Sequence, residues 1–206
     1  KLILNLPPVL LALTVHEGAH AWAADKLGDP TAKMLGRVSL NPLRHLDPVG
    51  TIVLFLTGMF GWAKPVPINV RNFRNVGQGM MLTAAAGPLA NLALAGASAI
   101  AYKLFADIVA PYLGPYPGLY NPLFIMIELS IIMNVSLAVF NMIPIPPLDG
   151  SRVLTYFLPP RKAYAFSRIE PYGFMILLLL ITTGVINRVL SPFVVILTRF
   201  LTGGYY

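Results

Sequence analysis

The chain carries the sequence HEGAH at positions 16–20, inside an otherwise apolar N-terminal stretch. On an α-helix, residues four positions apart share one face, so the imidazoles of His16 and His20 can both reach one metal ion. Glu17 can then act as general base on a water molecule held by that ion, as in helical H-E-x-x-H sites. Zinc fits this donor set best, because it accepts nitrogen and oxygen ligands and leaves one position for water in catalytic sites.

Chance seldom produces this motif in a chain with so few histidines. With three histidines and three glutamates in 206 residues, we expect so specific a pattern in about one chain in a thousand. The alternative interpretation is that these polar side chains only pack the helix against a neighbour. Because a glutamate and two histidines at membrane depth are costly unless they are paired or used, a metal site is favoured.

A catalytic zinc ion usually has three protein ligands, and the motif supplies two. The metzincin extension is absent, because it would need glycine at position 23 and histidine at position 26, where the chain has Ala23 and Lys26. Six residues remain as candidates for the third ligand: Asp25, Asp29, His45, Asp47, Glu128 and Asp149.

Depth in the membrane favours Asp149 among these candidates. It follows the apolar stretch 118–142, whose end returns to the level of the motif. Glu128 lies earlier in that stretch, roughly 20 Å from this end and toward the outer face. Asp25 and Asp29 follow the motif too closely to fold back easily onto the same ion. The three prolines between positions 144 and 147 keep the segment before Asp149 extended, and Gly150 permits a sharp turn past its carboxylate.

Two alternatives to this assignment stay open. Asp149 could instead be the N-cap of a helix that begins at Ser151. His45, the one histidine outside the motif, could be a gate residue, a substrate contact or the third ligand, although a histidine in a surface loop is the simplest interpretation.

The composition is that of a membrane protein. Only 11% of the residues are charged, against about 25% in soluble domains, and the mean hydropathy is +0.70. Residues 2–24, 79–102 and 118–142 are each long enough to cross a bilayer, which takes roughly 20 apolar residues. Residues 171–187 are a marginal fourth span. The lack of cysteine excludes thiolate ligands and cysteine nucleophiles.

The net charge of +7 is better explained by membrane topology than by nucleic-acid binding. Eleven of the 15 lysines and arginines lie in residues 25–48, 63–77 and 143–170, whereas the connection 103–117 has one. Because cytoplasmic loops collect basic residues, we place the first three segments in the cytoplasm. We therefore expect a multi-pass protein of the cell membrane, with the bilayer as a partner, no nucleic acid, and the active site near the cytoplasmic face.

These elements predict an all-α membrane protein, a polytopic helical bundle of about four transmembrane helices in a single domain, 1–206. We expect the first helix to end near Gly28, because glycine followed by Asp-Pro stops a helix. Residues 31–42 alternate apolar and polar side chains, which predicts a short strand or hairpin at the cytoplasmic face. Residues 51–63 are too short to cross, and we expect a re-entrant or interfacial segment. The tail beyond Arg188 is expected to lie against the membrane face.

Three motifs together resemble the site-2 protease family of intramembrane zinc metalloproteases: HEGAH in one apolar helix, AAGPLAN (85–91) in a second, and NMIPIPPLDG (141–150) after a third. The sequences GRVSLNPLRHLDPVGT (36–51) and FGWAKPVP (60–67) resemble the short prokaryotic members that lack a PDZ domain. The likeness covers nearly the whole chain. It implies one zinc ion per chain, held by His16, His20 and Asp149, with Glu17 activating the water.

The resemblance also implies that Asn141 helps to hold the substrate backbone or the reaction intermediate. Its amide could donate to a developing oxyanion, an interaction typically worth about 3–4 kcal/mol, or it could cap the end of its helix. We expect the side chain of Asn134 to form a hydrogen bond between helices. For Gly87, Pro88 and Asn91, close helix packing is the first interpretation. The second, for Pro88 and Asn91, is that they help to receive an unwound substrate.

We therefore expect an intramembrane zinc metalloprotease that cleaves a peptide bond within or near a transmembrane segment of a membrane protein, in regulated intramembrane proteolysis. Residues 31–41 could pair with the unwound substrate as an added strand. Two other classes remain: a membrane metal-ion transporter, which should show several sites along a path, and a non-cleaving relative that binds helices. The presence of Glu17 argues against the second.

Overall fold

A computed structural model describes residues 2–57, 61–113 and 117–204. This part of the chain is predominantly helical and contains no strand. The helices are α1 (Leu2–Lys26), α2 (Thr31–Met34), α3 (Pro48–Thr57), α4 (Val76–Leu104), α5 (Ala110–Leu113), α6 (Pro117–Asn141), α7 (Asp149–Phe157), α8 (Pro160–Ser167), α9 (Gly173–Thr182) and α10 (Val185–Thr202). A π-helical segment, Phe105–Val109, joins α4 to α5.

Four helical stretches are long and apolar enough to cross a membrane by length and composition: Val76–Val109, Asn121–Asn141, Pro160–Thr182 and Val185–Thr202. The predicted polytopic helical bundle is thereby confirmed. The 25-residue helix α1 is also long enough, at about 37 Å. It packs against α4 and α6, which pack against each other, so these three helices form the centre of the bundle.

Small side chains let the central helices approach closely. The buried residues of α1 include Ala12, Ala21 and Ala24, and those of α4 include Ala84 and Gly87. Beside them, a core cluster joins α4 to α6 through Ala95, Ala99, Ile131 and Val135. Close approach through small residues is how helices associate in lipid, where the hydrophobic effect does not drive them together.

The prediction for the C-terminal tail was wrong. Residues beyond Arg188 belong to α10, which packs on α4 and α6 with Val194, Leu197 and Leu201 against the core cluster. These side chains recur three and four residues apart, which is a helical period and not the alternation of apolar and polar residues on which the prediction was based. The marginal fourth span also ends earlier than position 187, because Gly184 adopts a left-handed conformation (φ 72°) between α9 and α10.

The strand or hairpin predicted at 31–42 is also absent. The segment begins with the helical turn Thr31–Met34, ends that turn at Gly36 (φ 68°), and resumes with a 3-10 turn at Pro42–Arg44. The carboxylate of Asp29 accepts a hydrogen bond from the backbone N–H of Thr31 at 3.1 Å. The N-cap residue of the helical turn is Pro30, and no side chain caps it, so the Asp29 contact is a local turn that competes with an extended strand.

The predicted re-entrant segment begins as α3, and its two ends lie near each other. Asp47 accepts a hydrogen bond from the N–H of Gly50 at 2.8 Å, in the first turn of α3. Leu46 and Ala63 pair in an isolated antiparallel bridge, so the two ends of the segment lie side by side. Residues 58–60 lie outside the described residues, and entry of this segment into the membrane stays a prediction.

The loop that follows is attached to the end of α1 by the buried carboxylate of Asp29. This carboxylate accepts hydrogen bonds from the N–H of Asn69 at 2.7 Å, from the side-chain amide of Asn72 at 2.8 Å, and from Thr31. Burial acts to raise the pKa of Asp29, but the hydrogen bonds from Thr31, Asn72 and Asn69 outweigh it and lower the pKa. The carboxylate therefore fixes the loop against the bundle.

Replacing Asp29 with alanine should destabilise the fold by about 1–3 kcal/mol, because buried donors lose their acceptor. The measurement is the unfolding temperature of the purified protein in detergent. Since the pKa of Asp29 is lower in the folded state, its contribution is present above the pKa of the unfolded chain and is lost as the pH falls through the folded pKa.

The control is Asp25→Ala, which removes a pair with the largely exposed Lys33. Such surface pairs contribute at most about 1 kcal/mol. Equal losses of stability in the two variants would contradict the role given to Asp29.

Candidate metal centre

Three potential metal ligands converge at the centre of the bundle. His16 and His20 lie on one face of α1, and their Nε2 atoms are 3.0 Å apart. The Oδ2 atom of Asp149, the first residue of α7, lies 3.3 Å from Nε2 of His16 and 3.4 Å from Nε2 of His20. Within the described ranges, this is the one group of histidine and acidic side chains arranged to hold a metal ion.

The tautomers of both histidines are set by acceptors on α4. Nδ1 of His20 lies 2.7 Å from the backbone carbonyl of Thr83, and Nδ1 of His16 lies 2.6 Å from Oδ1 of Asn91. Because these oxygens only accept, each Nδ1 must carry the hydrogen. In a neutral imidazole this leaves Nε2 as a lone pair, and both lone pairs are directed at Asp149.

The resulting arrangement is suited to binding a cation. Two lone-pair nitrogens meet a carboxylate oxygen that is buried and has no hydrogen-bond donor. Tetrahedral zinc with bonds of about 2.0–2.1 Å would separate its ligand atoms by roughly 3.3 Å. The observed separations of 3.0 to 3.4 Å fit that ion.

Gly87 on α4 makes room for the two imidazoles. A Cβ atom at this position would lie 2.5 Å from Nε2 of His20 and 2.7 Å from Cε1 of His16. Both distances are shorter than side chains tolerate, so any other residue would displace the rings. The close packing expected for Gly87 is therefore present, and its consequence is to open the space in which the ligand atoms meet.

Asp149 reaches the histidines through a tight turn after α6. Its side chain is not a helix cap, since the N-cap residue of α7 is Leu148 and no side chain caps it. Gly150 does not adopt the left-handed conformation that would explain a sharp turn. Instead, a Cβ atom there would lie 2.2 Å from the carbonyl oxygen of Met142. Glycine is needed because the start of α7 packs directly on the end of α6.

A cavity of about 200 Å³ adjoins the three ligands. Glu17 lines it, next to His16 in the chain. Loop residues cover it on another side, and Arg37 holds this cover in place through hydrogen bonds to the carbonyls of Lys64 and Pro65. Burial lowers the pKa of Arg37, and the negative charge of Glu17 acts in the opposite direction. The lining residues are His16, Glu17, His20, Pro65, Val66, Ile68, Met80, Thr83, Ala84, Asn141, Pro147, Asp149 and Arg152.

Asn141 lines the same cavity as the last residue of α6. Its side-chain amide donates to the carbonyl of Leu137 at 3.0 Å, one turn earlier in the helix. The structure thus shows a contact that stabilises the helix end. Donation from Asn141 to a reaction intermediate stays a prediction.

The other candidates for the third ligand are engaged elsewhere or lie outside the cluster. Asp25 pairs with Lys33, Asp29 holds the loop, and Asp47 caps α3. The surface position proposed for His45 was wrong: its side chain is 1% exposed. Nε2 of His45 donates to the carbonyl of Ser39 at 2.8 Å. Neither His45 nor Glu128 belongs to the metal-binding group.

The direct contact between Asn91 and His16 was not predicted from the sequence. Asn91 was assigned to helix packing or to substrate contact, yet the side chain is fully buried and bonded to the ring. A signal was available, since an amide inside an apolar helix is costly unless it has a partner. The identity of that partner, which lies 75 positions away in the chain, could not be predicted from the sequence.

Comparison with known proteins gave consistent matches. The model of Peptidase family M50 matches residues 117–183. The protein named "Putative zinc metalloprotease YwhC" of Bacillus subtilis (strain 168) is 38% identical over 184 residues, which are 89% of this chain and 82% of the relative. "Putative zinc metalloprotease Rip2" of Mycolicibacterium smegmatis (strain ATCC 700084 / mc(2)155) is 28% identical, with 90% of this chain and 69% of the relative covered. No solved structure matched the chain.

Gly87→Ala should abolish zinc binding, because the added methyl group would occupy the space of both imidazoles. The measurement is the zinc content of the purified protein, with circular dichroism to follow its helices. Gly96→Ala on the same helix is the matched control, since a Cβ atom at Gly96 would meet nothing within 4 Å. Normal zinc content in Gly87→Ala would contradict the site.

Asp149→Ala and His45→Ala separate the two candidates for the third ligand. Loss of Asp149 removes the anionic member of the converging group, so zinc content should fall to near zero. His45→Ala should retain one zinc ion per chain. Loss of zinc in His45→Ala alone would reverse the assignment.

Proposed function

The chain belongs to peptidase family M50, and on that premise we propose that it is an intramembrane zinc endopeptidase. It cleaves a peptide bond within or next to a transmembrane segment of a membrane-protein substrate. The observation that carries this proposal is the convergence of His16, His20 and Asp149 beside Glu17, inside a helix bundle of transmembrane length. The resemblance to the site-2 protease family supports a regulatory role for the cleavage.

The position of the site along α1 supports cleavage below the lipid surface. Lys26 ends the helix, which places His20 about 9 Å and His16 about 15 Å from that end by helical rise. The loops that follow α1, α3 and α6 carry most of the basic residues. By the positive-inside rule this end faces the cytoplasm, and we place the chain in the cell membrane with its active site near the cytoplasmic face.

The substrate must unwind before it can react, because the carbonyls of an intact helix are already hydrogen-bonded. Val66, Ile68 and Met80 give the cavity apolar walls beside the polar ligands. Such walls suit the apolar side chains of a membrane segment. The polar ligands on the other side can hold the water that attacks the substrate.

Each reacting proton has an acceptor among the residues of this chain. Zinc held by His16, His20 and Asp149 would supply a Lewis acid that polarises the scissile carbonyl and makes water more acidic. Glu17 accepts a proton as the water oxygen bonds to the carbonyl carbon. When the carbon–nitrogen bond breaks, Glu17 gives that proton to the leaving amine. The products are a new carboxyl terminus and a new amino terminus.

A metal-ion transporter remains the alternative class. Transport would call for ligand groups at several depths, whereas the described residues form one group at one depth. A non-cleaving relative would have no need for a carboxylate beside the ligands, and Glu17 lines the cavity. Both observations support hydrolysis.

Glu17→Gln should retain one zinc ion per chain and lose cleavage of a model transmembrane helix by at least about 100-fold. The variant keeps the ligands and removes the proton acceptor, and general-base catalysis typically contributes 10²–10⁴-fold. Zinc content and single-turnover cleavage in detergent or liposomes are the two measurements.

Glu128→Gln is the matched control, because Glu128 is a second glutamate in an apolar helix and lies outside the metal-binding group. It should retain both zinc and activity. Cleavage by Glu17→Gln at the rate of the unmodified protein would remove Glu17 as the base.

A further inference from the structure

A chain of polar side chains runs from the proposed metal site through the bundle. His16 of α1 contacts Asn91 of α4 at 2.6 Å, and the amide of Asn91 donates to Oδ1 of Asn134 on α6 at 2.8 Å. The amide of Asn134 donates to the carbonyl of Ser130 at 2.8 Å, and the hydroxyl of Ser130 pairs with that of Ser98 at 2.9 Å. Three central helices are thus connected through side chains at the level of a metal ligand.

The orientation of the Asn91 amide is determined by its other partners. Its nitrogen donates to the carbonyl of Ala12 at 3.0 Å as well as to Oδ1 of Asn134. A flipped amide would place its oxygen against both of these acceptors. Asn91 therefore presents oxygen to His16, and the ring must donate from Nδ1. Both asparagines are fully buried, so water cannot replace these bonds.

The two histidines differ in how they are oriented. His20 donates to a backbone carbonyl, that of Thr83, which every residue at that position would provide. His16 depends on a side chain. Hydrogen bonds to the second nitrogen of a ligating histidine set its tautomer and its ring orientation, and their loss typically costs 10–100-fold in metal affinity.

We propose that Asn91 is a positioning residue for the metal centre, one that directs the Nε2 lone pair of His16 toward Asp149. Asn134 acts one step further out, because it holds the amide of Asn91 in the orientation that presents oxygen to the ring. The proposal rests on the proposed zinc site. It assigns to Asn91 a role beyond helix packing, and it makes a residue of α6 contribute to a ligand of α1.

Zinc affinity separates this role from packing. The purified protein is titrated with zinc against a chelator of known affinity. Asn91→Leu, which keeps the branched shape of the side chain without an acceptor, should bind zinc 10–100-fold more weakly. Asn134→Leu should give a smaller loss than Asn91→Leu.

Ser98→Ala is the control at the far end of the same hydrogen-bonded chain, and it should bind zinc as the unmodified protein does. Unchanged affinity in Asn91→Leu would overturn the inference, as would a larger loss in Asn134→Leu than in Asn91→Leu. A protein that binds no zinc in its unmodified form would instead refute the proposed function, so the two failures are distinguishable.

A measurement on the unmodified protein covers the case in which Asn91→Leu does not fold. NMR of isotope-labelled histidine in the zinc-free protein distinguishes protonated from unprotonated ring nitrogens, and the chain has three histidines to assign. The neutral ring of His16 should carry its hydrogen on Nδ1. A hydrogen on Nε2 would show that Asn91 does not set the tautomer, and would overturn the inference.

Discussion

The polar centre of this protein needs positive charge to be stable. The two imidazole nitrogens and the carboxylate oxygen approach within 3.0 to 3.4 Å of one another, and none of the three can donate when both rings are neutral and protonated on Nδ1. Such a group is repulsive without a cation, and burial makes the repulsion stronger because the surroundings screen charge poorly. The packing of α1 against α4, and the turn that brings α7 back to them, are arranged around this requirement.

Small residues make that arrangement possible. Gly87 leaves space for the rings, and Gly150 lets the carboxylate approach from the end of α6. Neither glycine is needed for an unusual backbone conformation. Their role is steric, and it couples the helix packing that stabilises the bundle to the geometry of the site. A membrane protein can combine the two because its helices associate through small residues in any case.

The cover of the cavity depends on residues outside the central helices. Asp29 and Arg37 are buried polar side chains that bind the loop 63–72 from two directions. The loop contributes Pro65, Val66 and Ile68 to the cavity wall. In the proposed function, this cavity must exclude lipid and still admit an unwound segment of the substrate. A loop held by hydrogen bonds at its ends, with apolar side chains over the ligands, suits both needs.

The sequence by itself determined the membrane class, the helical bundle and the residues His16, Glu17 and His20 as a candidate group, because hydropathy and the helical period are local properties. It also favoured Asp149, through depth along a returning helix. Only the tertiary structure decided which polar residues meet. The partner of Asn91 lies 75 positions away. His45 is buried, and its Nε2 donates to the carbonyl of Ser39. The turn at Thr31–Met34 and the helix Val185–Thr202 were missed because Asp29 and core packing outweighed a weak local alternation.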